Sequence, residues 1–104
     1  MTTKGKSTDP LVVAGNVYTL IMENEQVRVL DIRLKVGDKA AMHYHPNHVI
    51  YVLADGKAKI TTPDGKSTNF DLKAGQAIWM AAGQHAAENV GKSEGHNLVV
   101  ELKK

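Results

Sequence analysis

Turn-forming residues recur roughly every eight to twelve positions along most of this chain, and that cadence leaves room only for short extended segments between them. Gly, Asp, Asn and Pro mark turns at 23–26, 36–38, 55–56, 63–65, 73–75, 81–85 and 91–95. Between them lie β-prone runs at 17–22, 27–34, 57–62, 67–72, 77–80, 86–90 and 96–102, with a histidine-rich run at 37–54. No segment carries a 3.6-residue apolar period. Many short strands with Gly-rich turns specify an all-β sandwich or barrel. The run 27–34 alternates, with Val27, Val29 and Asp31 on one face and Arg28, Leu30, Ile32 and Leu34 on the other. Both faces carry apolar residues, as expected where two sheets stack.

The chain has 104 residues, enough for one core and no more. Positions 1–10 are rich in Thr, Lys, Ser and Gly and end in Asp9-Pro10, so they read as a flexible lead-in, with a single domain over 11–104. A formal charge of +2 is too small for a nucleic-acid footprint. The polar N-terminus lacks the apolar core of a signal peptide, and no apolar run is long enough to span a membrane. A soluble, cytoplasmic protein is expected. Cysteine is absent, so any metal must be held by nitrogen and oxygen.

Candidate ligands cluster in one place. His43 and His45 stand at i and i+2, and on a strand these side chains share a face, so two imidazoles can meet one ion. His48 follows three residues later and reaches the same ion only if Pro46-Asn47 breaks the strand alternation, since a one-residue shift turns a side chain to the opposite face.

The run Gly37-x5-His43-x-His45, continued to Gly56, resembles the first motif of the cupin superfamily, G-x5-H-x-H-x3-4-E-x6-G. Gly75-x5-Ala81-x-Gly83, then His85 and Asn89, is similar to the second, G-x5-P-x-G-x2-H-x3-N. The details also resemble small bacterial cupins, including those called beta-alanine degradation proteins: His43-x-His45-Pro46-x-x-Val49, Pro63-Asp-Gly-Lys-Ser67, Ala74-Gly75-x-Ala77-x-Trp79 and the closing Leu98-Val-Val-Glu-Leu-Lys103. The resemblance implies a double-stranded β-helix, a jelly-roll-like barrel whose mouth holds one divalent transition metal ion on His43, His45 and His85. The chain departs from the pattern at the glutamate, whose slot falls on Val49, and in the second motif, where Ala81 replaces proline and the histidine comes one residue early. This leaves a three-histidine face whose fourth position is vacant or filled by His48. Three neutral imidazoles suit Fe, Mn, Co, Ni, Cu or Zn.

Other residues weigh less. Trp79 and Tyr51 either line the pocket or fill the barrel, with packing favoured for Trp79 and an inward face shared with Val49 for Tyr51. Met42 and Met80 read as core or interface filling, and His96 as packing. Glu88 and Asp31 are the acidic residues placed to approach the site, without a motif that makes either a general base. Three functions stay open: a metal-dependent, Fe(II)-type dioxygenase acting on a small organic substrate, a metal-assisted isomerase or hydrolase, and a non-catalytic cupin that binds a small ligand or senses a metal. The surplus of apolar surface over what one core absorbs predicts a homodimer.

Overall fold

The computed structural model describes residues 8–103. A short helix, α1 (Pro10–Val13), precedes nine strands: β1 (Tyr18–Glu23), β2 (Val27–Leu34), β3 (Lys39–His45), β4 (His48–Val52), β5 (Gly56–Thr61), β6 (Ser67–Leu72), β7 (Ala77–Met80), β8 (Gly83–Asn89) and β9 (Gly95–Leu102). They form two antiparallel sheets, one ordered β1-β2-β9-β4-β7 and the other β3-β8-β5-β6. From β2 to β5 the chain changes sheet at every strand, and it does so again from β6 to β9. That exchange closes the two sheets into the expected double-stranded β-helix. Among the described residues no helix is long and apolar enough to cross a membrane.

Most of the expected lead-in, residues 1–7, lies outside the described residues, whereas Thr8, Asp9 and Pro10 belong to the fold. The Thr8 carbonyl accepts a hydrogen bond from Tyr44 N, and Asp9 caps α1 by accepting from Leu11 N at 2.8 Å. Pro10, at the first helical position, loses no hydrogen bond there.

Alternation places the core as the residues of β2 suggest. Leu30, Ile32 and Leu34 point inward and are buried with Val17, Tyr18, Ala40, Ala87 and Val99. The opposite face of this five-stranded sheet carries Val27, Val29, Val49, Leu98 and Val100, all half-buried. Tyr51 and Trp79 lie on that outer face too, at 42% and 57% exposure. The inward placement of Tyr51 is therefore corrected: β4 begins with His48 buried, so His48, Ile50 and Val52 take the inner face and Val49 and Tyr51 the outer. Trp79 is directly opposite Val49 and packs outside the barrel rather than in it. Met80 turns inward and Met42 is half-buried.

The two motif glycines that open the histidine runs have a backbone reason. Gly37 and Gly75 adopt φ of 86° and 91°, the left-handed region that other residues enter at a cost of about 1–2 kcal/mol. Asn89, which closes the second motif, is a structural clamp. Its amide donates to Leu34 O and Ser93 O and accepts from Gly91 N, with all three bonds between 2.8 and 2.9 Å. Asn89→Ala strips three partners from a buried site and is expected to lower stability by about 2–3 kcal/mol, measurable as a reduced urea midpoint at unchanged slope.

Candidate metal centre

Four imidazoles meet inside the barrel. His43, His45 and His48 are fully buried, and His85 stands beside them, half-buried. Their ring centroids lie 4.7 Å (His43–His45), 4.8 Å (His43–His85) and 4.4 Å (His45–His48) apart.

Each arrives by a local device. In β3 the register slips between Ala40 and His43, so a bulge inserts one residue, and His43 then faces His85 directly across the β3–β8 pairing. His85 is thus a strand residue, not part of the loop expected at 81–85. Pro46 and Asn47 carry the chain from one sheet to the other. Asn47 O accepts from Leu102 N and Asn47 Oδ1 from Ala82 N, so the crossing is held at both sides. Because the strand alternation restarts after this crossing, His48 opens β4 facing inward, beside Glu101 of β9.

Hydrogen bonds set the tautomers. His43 Nδ1 lies 2.6 Å from Ala41 O, and His48 Nδ1 lies 2.7 Å from Pro46 O. Carbonyl oxygens only accept, so both rings carry their proton on Nδ1 and present a bare Nε2 lone pair. His45 Nδ1 lies 2.5 Å from Glu101 Oε2, which orients that ring in the same way. The other carboxylate oxygen accepts from Arg28 Nε at 2.9 Å, and Arg28 Nη1 donates to Asp9 Oδ2 at 2.9 Å.

Glu101 was not singled out from the sequence, and it replaces Glu88 and Asp31 as the carboxylate that reaches the site. Asp31 instead bonds His96 Nε2 at 2.6 Å on the outer face of its sheet, and Glu88 alternates outward between buried Ala87 and Asn89. Tyr18 is the second residue that sequence reasoning missed. Its hydroxyl lies 3.2 Å from His43 Nε2 and 3.1 Å from His45 Nε2. No motif marks it; only its place in a strand that pairs with Ile32 brings it inside.

Burial disfavours the charged form of His43, His48 and His85. Burial pushes His43 down to about 4 and His85 to about 3, and it lowers His48 as well; repulsion from neighbouring imidazoles adds to each. Burial alone would raise Glu101, but the hydrogen bonds from His45 and Arg28 outweigh it and hold the carboxyl below its usual range. The Tyr18 phenol is pushed up by burial and by the Glu101 charge, which keeps it protonated.

The donor set suits a metal ion. One hydroxyl proton cannot satisfy two Nε2 acceptors, so either His43 or His45 keeps an unmatched lone pair. His48 Nε2 is sealed from solvent and has no partner at all. Ligand atoms of His43, His45 and His85 lie within 4.8 Å of one another. Two nitrogens sharing one zinc-sized ion are separated by at most about 4.2 Å, so the cluster is nearly contracted enough to bind. Below the histidines, an apolar cavity of about 60 Å³ runs from His85 and Tyr18 toward Phe70 and Leu72.

A buried neutral histidine gives folding stability a defined sign. The unfolded chain binds protons near 6.5, whereas folded His43 and His85 bind them only near 4 and 3, so the unfolded state gains protons first as pH falls. In EDTA the urea midpoint should therefore drop steadily from about pH 6.5 toward pH 4, and Glu101 adds a loss of the same sign below its unfolded value of 4.5. His43→Leu with His85→Leu should flatten the upper part of that profile. An unchanged midpoint between pH 7 and pH 5 in the wild type contradicts the buried neutral rings.

Comparison with known proteins agrees with this architecture. A model of the cupin domain family matches residues 30–101. No curated protein sequence matches the chain. Among solved structures, a cupin domain from Bordetella pertussis is similar at 26% identity, covering 85% of this chain and 93% of its own, with a TM-score of 0.78. An uncharacterized conserved protein with a double-stranded β-helix domain from Klebsiella pneumoniae is 26% identical over 83% of this chain and 75% of its own, with a TM-score of 0.68. An RmlC-like cupin family protein from Methanocaldococcus jannaschii, at 20% identity, 83% and 78% coverage and a TM-score of 0.66, shares the fold. With the family model spanning most of the barrel and both sheets wound in the same way, the chain belongs to the cupin domain family.

Proposed function

We propose that this protein binds one divalent transition metal ion through His43, His45 and His85, with His48 as the fourth ligand, and uses it as an Fe(II)-type dioxygenase on a small organic substrate. The observation that carries the reading is the convergence of bare Nε2 lone pairs with no carboxylate among them, Glu101 being spent on His45 Nδ1 and Arg28. Held by His43, His45, His85 and His48, a ferrous ion would supply Lewis-acid and redox chemistry at the face of the site. Neutral ligands leave its charge undiminished, which favours an anionic or enol-forming head group. The protein's own part is to orient the four rings, to hold Glu101 ionised behind His45 and to keep the Tyr18 hydroxyl at the face of the site. A non-catalytic cupin that binds a small ligand or senses a metal would use the same residues.

One observation favours a metal-assisted isomerase or hydrolase as the second reading. Such chemistry needs a positioned proton donor, and the protonated Tyr18 hydroxyl stands where one is required. Oxygen uptake by the Fe(II)-loaded protein across small diketones, thiols and aromatic diols separates the readings. Uptake coupled to product supports the dioxygenase, turnover under anaerobic conditions supports the isomerase, and no turnover with any metal removes both.

Within the superfamily, our reading is a small bacterial-type cupin similar to the beta-alanine degradation group and resident in the cytoplasm, supported by the resemblance of the His43-to-Val49 run and of the closing strand. The half-buried apolar outer face of the five-stranded sheet, capped by Tyr51 and Trp79, favours a homodimer formed by pairing those sheets.

Elemental analysis after purification without added metal should find about one equivalent in the wild type and none in His43→Ala. His48→Ala and Glu101→Gln should each weaken metal affinity by roughly 10–100-fold, as loss of a ligand or of its orienting partner does. Full affinity in His48→Ala removes the fourth ligand. Trp79→Glu is expected to turn a light-scattering dimer into a monomer, and a wild type that is monomeric at every concentration refutes the sheet pairing.

A further inference from the structure

Glu101 orients His45, and Arg28 orients Glu101. The Arg28 guanidinium donates from Nε to Glu101 Oε1 and from Nη1 to Asp9 Oδ2, each at 2.9 Å. A planar group held at two of its nitrogens cannot turn without breaking one of the bonds. Asp9 is itself fixed by α1. Its Oδ1 accepts from Leu11 N at 2.8 Å, and its carbonyl accepts from Val12 N and Val13 N at 2.9 Å. Pro10, the next residue, is fully buried, which anchors this end of the helix in the barrel. On the other side, the Thr8 carbonyl accepts from Tyr44 N at 2.8 Å, one residue before His45.

Arg28 has a second place to go. It stands opposite Glu23 across the β1–β2 pairing, and a surface groove of about 250 Å³ lies between them, lined also by Asp9, Tyr44, Glu101 and Lys103. Glu23 is held there only by the exposed Lys103 ammonium, at 2.6 Å. An ion pair at the rim of a fold adds little stability by itself. The Asp9 carboxylate acts instead by selection, keeping the guanidinium against buried Glu101 and out of the groove.

We propose that Arg28 and Asp9 are positioning residues for the metal centre: docked α1 holds Arg28 on Glu101, Glu101 holds the His45 ring, and a bound ion in return tightens the docking of α1. The return effect follows from linkage, because a contact that raises metal affinity by some factor is itself strengthened by the metal by the same factor. The ion's part rests on the metal-site reading above, whereas the ordering of the ring rests on the hydrogen bonds alone.

The test uses Zn(II), with affinity measured by competition against a chromophoric chelator at one fixed pH. Asp9→Asn keeps a side-chain acceptor for the helix cap and removes the charge that holds Arg28. It should weaken zinc binding by about threefold, less than loss of the adjacent Glu101 partner because it acts one bond further out. In a Glu101→Gln background the same substitution should change nothing, since the link it acts through is gone. If that background does not fold, Arg28→Lys replaces it, because a single ammonium lacks the planar fork that joins both carboxylates. Zinc should also slow amide hydrogen exchange at Val13 and Ala14 by about threefold in the wild type and not in Asp9→Asn. A loss of affinity that persists in the coupled background, an unchanged affinity in Asp9→Asn, or exchange in α1 that ignores zinc overturns the proposal. In EDTA, the NMR signal of the His45 Nδ1 proton should shift and broaden in Asp9→Asn and in Arg28→Lys, and a signal unmoved in both overturns the positioning of the ring. A wild type that binds no zinc yet shows this NMR response removes the metal-site reading and supports the ordering of His45 by Arg28 and Asp9.

Discussion

Glu101 is a carboxylate buried at 3% exposure, and a charge in that position is tolerable only if it is paired on both oxygens. Arg28 and His45 supply the two partners, and Arg28 is itself held by the carboxylate that caps α1. This single chain of contacts ties the N-terminal helix, β2, β9 and β3 together at the level of the histidines. Removing any member leaves a buried charge or a buried donor without a partner. The ring that Glu101 orients is therefore tied to the folding of the barrel itself.

The other rings depend on backbone irregularity rather than on charge. A bulge exposes the Ala41 carbonyl to His43, and the sheet crossing at Pro46-Asn47 exposes the Pro46 carbonyl to His48. In a regular ladder those carbonyls would be taken up by the neighbouring strand. Each departure from regular pairing thus does two things at once, turning an imidazole inward and fixing its proton on the far nitrogen. In His43, His48 and His85 burial is the main cause that suppresses protonation, with repulsion from the neighbouring imidazoles added to it.

Such a site opposes the stability of its own fold. The two orphaned polar atoms and the crowded Nε2 lone pairs are the places where apolar substitutions would strengthen the empty barrel. Two unmatched polar atoms inside a wall of aliphatic side chains do nothing for packing. Aromatic and aliphatic groups are also exposed on the outside of the five-stranded sheet, where they form an apolar face in the single chain.

The sequence by itself determined the class of fold and the heart of the candidate site. Turn spacing and period-two alternation are local properties, so strands β2, β6 and β7 were legible to the residue, and the i, i+2 spacing of His43 and His45 set both on one face of one strand. The motif resemblance added His85, though not the strand on which it stands. Tertiary structure alone decided the rest. Whether His48 faces in depends on where the chain changes sheet, which alternation within one strand cannot report. Glu101 meets His45 across 56 residues and Tyr18 meets His43 across 25, because β9 lies between β2 and β4 and β1 packs its first residue inward. No local pattern encodes that strand order; it is settled by which closure of two sheets buries the apolar faces and pairs the buried charge.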